Sequence, residues 1–256
     1  MSITMAKIHI VGCGGLFYHS MLGIRNILCS SLEVMESIEL VLWDDDKTDY
    51  RNRYRQWFDE DREKITLAAH VFNPLLGPCA VKVYGEKFPG AKVVKKDYML
   101  EGKALGKKLL LIVGLPDNHK ARKMVYSQAE VIADIAPSNM LVASMIAGNS
   151  TERGYCYSMW HSKGKKKEDY DYMRAHIDIL AEADAEEARE ASATSCMDNG
   201  TAEQSVIGNM RTGALIVETM MDILTYRGDK DPRGGREMSW VCNDKVNKVF
   251  DDKYQK

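Results

Sequence analysis

The chain of 256 residues is long enough for one large α/β domain or two small ones, and its 45% hydrophobic content suffices for a packed core. Its 35 basic and 37 acidic side chains leave a formal charge of -2, so no global field draws it to nucleic acid or an anionic membrane, and any bound anion must be gripped locally. No apolar run approaches the roughly 20 residues of a membrane span, and Met1 to Lys7 lacks an apolar signal core with a small-residue cleavage site, so a cytoplasmic protein is expected.

The stretch Lys7-Ile-His-Ile-Val11 reads as a strand ending in the tight turn Gly12-Cys-Gly14-Gly15. An amphipathic helix follows, with Leu16, Met21, Leu22, Ile24, Ile27 and Leu28 on its apolar side. A second buried strand, Ile38 to Trp43, runs straight into Asp44-Asp-Asp46. A β-α-β unit closing on an acid roughly 30 residues after the glycines is a nucleotide-binding pattern. Further strands are expected at Lys92 to Lys95, Lys108 to Val113, Met140 to Ala147 and Tyr155 to Trp160, alternating with helices. That alternation predicts a Rossmann-like, doubly wound, mostly parallel sheet flanked by helices.

Composition shifts at Ser162, where Lys163-Gly-Lys165-Lys-Lys167 gives way to an acidic stretch carrying Met173, Ile177, Leu180 and Ala188 at helical intervals. It reads as a charged helix inserted at 162–193. From Gln204 to Tyr226 a stronger apolar stripe predicts a long helix with one buried face. Residues 1–228 are thus read as one nucleotide-binding α/β domain, and 229–256 as a loosely packed C-terminal extension. The six cysteines contain no C-x-x-C pair and the six histidines no H-x-H or H-x-x-x-H spacing, so neither zinc nor a disulfide framework is expected.

The glycine turn has a legible physical role. Gly12 permits the sharp reversal, Gly14 and Gly15 let backbone approach a ligand, and the helix behind them offers unpaired N–H groups to phosphate. Phe17 stands where the third glycine of G-x-G-x-x-G would be, and is expected to crowd the helix against the sheet or the phosphates. Asp44 sits where a carboxylate accepts hydrogen bonds from ribose hydroxyls; a solvated strand-end acid is the plainer alternative. The continuation supplies Arg51, Asn52, Arg53 and Arg55, donors suited to a triphosphate rather than to a dinucleotide pyrophosphate.

These blocks resemble the ThiF/MoeB group of adenylyltransferases, which shares its fold with ubiquitin-activating enzymes. The family's G-x-G-G-L, D-x-D, N-x-x-R-Q and D-N-x-x-x-R motifs read here as Gly12-Cys-Gly-Gly-Leu16, Asp44-Asp-Asp46, Asn52-Arg-Tyr-Arg55-Gln56 and Asp117-Asn-His-Lys-Ala-Arg122. A looser likeness in Ala147-Gly-Asn149, Gly154-Tyr and Ser195-Cys196 through Asn209 extends to the C-terminal half of ThiF-like proteins, including those of mobile elements.

The resemblance implies ATP and Mg2+ as cofactors. Asp44 and Asp46 would lie at the nucleotide, with Asp44 on the ribose, while Asn52, Arg55 and Gln56 would form the phosphate site. Asp117 would sit by Mg2+ and the α-phosphate, and Arg122 would steady that loop. The phosphate-binding lysine falls on Lys64, at the head of the apolar stretch Ile65 to Phe72, or on Lys82. The latter follows Gly77-Pro-Cys-Ala80, a likeness of the family's G-x-P-K turn with alanine where the lysine belongs. Asp117-Asn118 before a helix also reads as a cap. Cys196 is the candidate thioester thiol, with a bystander thiol as the alternative. With so short a segment before the first strand, no counterpart of the N-terminal arginine that family members lend across their dimer is expected.

The implied activity is adenylation of a protein or peptide C-terminal carboxylate, the partner being a ubiquitin-like or sulfur-carrier protein with an exposed C-terminus, by a homodimer. A degenerate nucleotide-binding scaffold of the same fold is the alternative. A third reading, an NAD(P)-dependent oxidoreductase, rests on fold analogy.

Overall fold

A computed structural model describes residues 2–47, 64–73, 79–88, 106–149, 153–163, 206–226, 234–241 and 249–250. Its elements in chain order are β1 (Ile3–Val11), α1 (Gly15–Ser31), β2 (Ser37–Trp43), α2 (Lys64–Phe72), β3 (Cys79–Tyr84), β4 (Lys107–Gly114), α3 (His119–Ile135), β5 (Met140–Asn149), β6 (Arg153–His161), α4 (Val206–Leu224), β7 (Gly234–Val241) and β8 (Val249–Phe250). The strands form one sheet in the order β3-β2-β1-β4-β5-β6-β7-β8. From β3 to β5 every neighbouring pair is parallel, and β6, β7 and β8 each pair antiparallel with the strand before. The result is the Rossmann-like, mostly parallel sheet with flanking helices that the β-α-β alternation predicts.

Strand periodicity divides the core in two. Ile8 and Ile10 of β1, Leu40 and Leu42 of β2, and Leu109 and Leu111 of β4 point to one face, where α1, α2 and α4 cover them. Val11, Val41, Leu110 and Ile112 point to the other, against Val125, Ala129 and Ile132 of α3. Because both faces are covered, the central strands are near-continuous apolar runs. In α1, Phe17, Ser20, Ile24, Leu28 and Ser31 recur at intervals of three and four and form its buried side. The long C-terminal helix packs on α1 so closely that a Cβ at Gly213 would lie 3.1 Å from the carbonyl carbon of His19. A larger residue there would wedge the two helices apart.

Several expectations change. The first strand starts at Ile3, four residues before the predicted Lys7. Cys79 and Ala80, read as the end of a turn, instead begin β3 and pair with Ile38 and Glu39 of β2. The tail is not loose throughout: residues 234–241 form β7 along β6, and Met238 of β7 is buried, its Sδ accepting from the Thr219 hydroxyl of α4 at 3.4 Å. The predicted strand Lys92 to Lys95 and the inserted helix at 162–193, beyond its first two residues, lie outside the described residues. Among the described residues no helix is long and apolar enough to cross a membrane.

Candidate functional site

Winding direction reverses between β1 and β4: the chain moves outward from β1 through β2 to β3, then returns to β4 on the other side of β1. Loops leaving two such strands diverge, and a crevice opens at their C-terminal ends. Here it is a cavity of about 920 Å³, walled by the turn after β1, the ends of β2 and β3, the head of α2 and the loop from β4 into α3.

The first wall depends on Gly12. Its φ of 90 lies in the left-handed region, and a Cβ there would stand 2.8 Å from the Pro116 nitrogen and 3.0 Å from the Leu115 carbonyl carbon. Its N–H donates to the Trp43 carbonyl at 2.9 Å, and the Leu115 N–H donates to the Val11 carbonyl at 2.8 Å. The turn is thereby tied to β2 on one side and to the β4 loop on the other. Gly14 caps α1 without a side-chain hydrogen bond, and Gly14, Gly15 and Leu16 line the cavity. The uncapped first-turn N–H groups, at the positive end of the helix dipole, form an anion-accepting surface. Phe17 does not crowd this surface. It is 1% exposed and stacks on Phe72 of α2 with ring centroids 6.0 Å apart, so it serves the core on the far side of the helix.

The second wall carries the acids. The Asp44 carboxylate accepts hydrogen bonds from the Cys13 N–H and, at 2.8 Å, from the Asp46 N–H. Burial raises the Asp44 carboxyl above the usual aspartate range, with Lys64 and the two backbone donors opposing the rise. The folded state therefore holds the Asp44 proton more firmly than the unfolded chain does. That contribution to stability is complete below the unfolded value and is lost as pH rises through the folded one. Denaturant titrations from pH 3 to 7 are expected to show Asp44→Asn gaining stability relative to the parent protein as pH rises; parallel pH curves would contradict the shift. Burial, reinforced by Asp44, also pushes the Cys13 thiol well above its usual range, which makes it an unreactive core thiol.

Lys64 and Lys82 part company. Lys64 opens α2 and lines the cavity; its Nζ is 2.8 Å from Asp46 Oδ2, and its backbone N–H donates to the Asp46 carbonyl at 3.3 Å. Lys82 lies two residues before the end of β3, on a sheet face, where its Nζ donates to Glu39 Oε1 at 2.7 Å. It is not among the residues lining the cavity.

On the third wall, Asn118 caps α3 by accepting from the Ala121 N–H at 2.8 Å, and Asp117 stands exposed at the rim. Arg122 is 4% exposed and sits behind this wall. Its Nε donates to the Pro116 carbonyl and its Nη1 to the Tyr155 hydroxyl, both at 3.0 Å, so it braces the loop that carries Asp117.

No protein-family model and no curated protein matches the chain. Solved structures do. The fold resembles those of PaaA and E. coli MccB. PaaA superposes with a TM-score of 0.55 at 13% identity, covering 93% of this chain and 61% of its own. E. coli MccB with AMPCPP and MccA gives 0.57 at 13% identity over the same shares, and E. coli MccB with ATP gives 0.53, also at 13% identity and over the same shares. The chain spans about 61% of the length of these proteins. At such identity the likeness is one of fold.

Gly12, Gly14, Gly15, Asp44, Asp46, Lys64 and Asp117 are thus brought together around one cavity. Asn52, Arg55, Gln56 and Cys196 lie outside the described residues, although Asp46 and Lys64, which flank the first three in sequence, both line the cavity. Sequence reasoning overlooked Trp43, Glu86, Lys87 and Phe88, which close the β2–β3 end. Trp43 stacks on Tyr84 with centroids 4.2 Å apart and meets the edge of Phe88 at 5.6 Å. The run from Val81 to Tyr84 was the available signal for a strand ending in that loop.

Proposed function

We propose that the chain binds ATP with Mg2+ in this cavity and adenylates the C-terminal carboxylate of a protein or peptide. One observation carries the reading: an uncapped helix N-terminus, a half-buried strand-end carboxylate and a lysine converge at the switch point of a Rossmann-like sheet. Phosphates suit the α1 N-terminus and Lys64, and ribose hydroxyls suit Asp44. Asn52, Arg55 and Gln56, by resemblance, would complete the triphosphate site.

In the reaction a carboxylate oxygen bonds to the α-phosphorus while the bond to the bridging α–β oxygen breaks, and pyrophosphate leaves with that electron pair. Negative charge gathers on the phosphoryl oxygens, where fixed N–H dipoles and Lys64 offset it. Mg2+ takes oxygen ligands and would neutralise phosphate charge. Exposed Asp117 at the rim would supply such an oxygen, and Arg122 holds its loop in place.

That E. coli MccB, which shares this fold, has been solved with ATP and with AMPCPP together with MccA supports a nucleotide and a second bound molecule in the reading for this chain. A ubiquitin-like or sulfur-carrier protein with an exposed C-terminus fits the partner role, in a cytoplasmic setting. The outward face of α4, with Ile207 62%, Met210 57% and Met221 46% exposed, suits a second copy of the chain, and sedimentation would test the homodimer.

Calorimetry with Mg2+ and ATP is expected to show one nucleotide per chain, and pyrophosphate exchange should appear when the partner carboxylate is supplied. Asp117→Ala is expected to slow exchange by roughly 100-fold, the scale of losing one transition-state electrostatic contact. Absence of ATP binding would end this reading.

A further inference from the structure

The ammonium that faces the cavity is already engaged. Lys64 Nζ lies 2.8 Å from Asp46 Oδ2, with the lysine side chain 11% and the aspartate side chain 65% exposed. The contact is tied at both ends. Asp46 is set by its own N–H on Asp44 Oδ1, and Lys64 by its N–H on the Asp46 carbonyl. The lysine stem is therefore held against the wall while the carboxylate reaches it from the solvent side. On the same wall Lys87 Nζ stands 3.9 Å from Asp45 Oδ2, so the pairing of a cavity lysine with a strand-end aspartate occurs twice.

We propose that Asp46 is an internal competitor for the Lys64 ammonium, an autoinhibitory contact that sets how tightly the empty site takes a polyphosphate. The inference rests on the ATP reading above. An ammonium has three donors in fixed tetrahedral directions, and a donor directed at Asp46 is withheld from phosphate until the pair opens. The two ends differ in their cost of release. The exposed carboxylate is rehydrated on leaving, whereas the largely buried ammonium needs an anionic replacement, which an entering phosphate provides. Exchange of partners is thus cheap once ligand arrives, but the ligand affinity is lowered by the strength of the pair it displaces.

Asp46→Asn, Lys64→Met and the double variant are to be titrated with ATP, without divalent cation, by calorimetry. Asp46→Asn is expected to bind ATP roughly two- to fivefold tighter than the parent, the range of a partly exposed ion pair. In the Lys64→Met background the same change should have no effect. Equal or weaker binding by Asp46→Asn would overturn the proposal. So would equal tightening in the Lys64→Met background, because it would mean that Asp46 acts by direct repulsion of phosphate. Failure of the parent protein to bind ATP at all, with or without Mg2+, would instead remove the ATP reading and this inference with it.

Discussion

Replacing Lys64 by methionine is expected to weaken ATP binding by roughly 10- to 100-fold while leaving adenosine binding unchanged. A charge-assisted hydrogen bond to phosphate is worth about 1.5–3 kcal/mol, and methionine keeps the apolar stem in place. Little stability should be lost, because the lysine's partner in the folded protein is the exposed carboxylate of Asp46. Calorimetry with ATP and with adenosine separates the phosphate contribution from the rest. Lys82→Met provides the contrast: its ammonium belongs to the Glu39 cluster on the sheet face, so ATP affinity should be unaltered. If the Lys82 variant lost affinity and the Lys64 variant kept it, the assignment of the phosphate lysine would be reversed. Added salt should weaken the parent protein's ATP binding more than the Lys64 variant's.

The other large effect is expected at Gly12. Alanine there meets two costs at once. A left-handed backbone costs a non-glycine residue about 1–2 kcal/mol, and forcing a methyl group into close-packed backbone costs about 1–3 kcal/mol more. The clash is with main-chain atoms of Leu115 and Pro116, which no rotamer change can relieve. Gly12→Ala should therefore lose about 3 kcal/mol of unfolding free energy, a large part of the stability of an ordinary domain. Denaturant midpoints measure this directly. The damage should also reach ligand binding, since the Gly12 turn and the Pro116–Asp117 loop would have to separate. A Gly12→Ala protein with unchanged midpoint and unchanged ATP affinity would contradict the close approach.

The readable parts of the sequence share a physical cause. Central strands β1, β2, β4 and β5 are covered on both faces, so each shows an apolar run that needs no partner information to interpret. Edge and antiparallel strands do not. In β3, Lys82, Val83 and Tyr84 are all exposed, so the run carries no buried apolar signal, and only the turn likeness of Gly77-Pro-Cys-Ala80 stood out. In β7 the chain carries Gly234-Gly-Arg-Glu-Met238, whose pairing is dictated by β6 rather than by its own composition. Asp44 and the glycine turn were legible because their spacing follows from one β-α-β unit. Which of Lys64 and Lys82 reaches the cavity was not, because it depends on how the elements are placed in space: Lys64 opens α2 at the cavity wall, whereas Lys82 lies within β3 and pairs with Glu39 on a sheet face. Arg122 was placed by resemblance as a steadying residue, and its position between the Pro116 carbonyl and the Tyr155 hydroxyl was not legible in the sequence. Phe17 shows the opposite case: a departure from a glycine pattern looked costly, but its ring turns away to pack on Phe72.

The antiparallel side of the sheet has its own consequence. Strand β6 pairs with β5 along one edge and with β7 along the other, through eight residues from Arg153 to Trp160. Without β7, that second edge would be a row of bare N–H and C=O groups next to Tyr155, Tyr157 and Trp160, a template for strands of other chains. The C-terminal strands thus guard against aggregation from a position well away from the cavity at the β1–β4 switch point, and a protein shortened ahead of residue 234 would keep every described residue lining that cavity while losing its protection against self-adhesion.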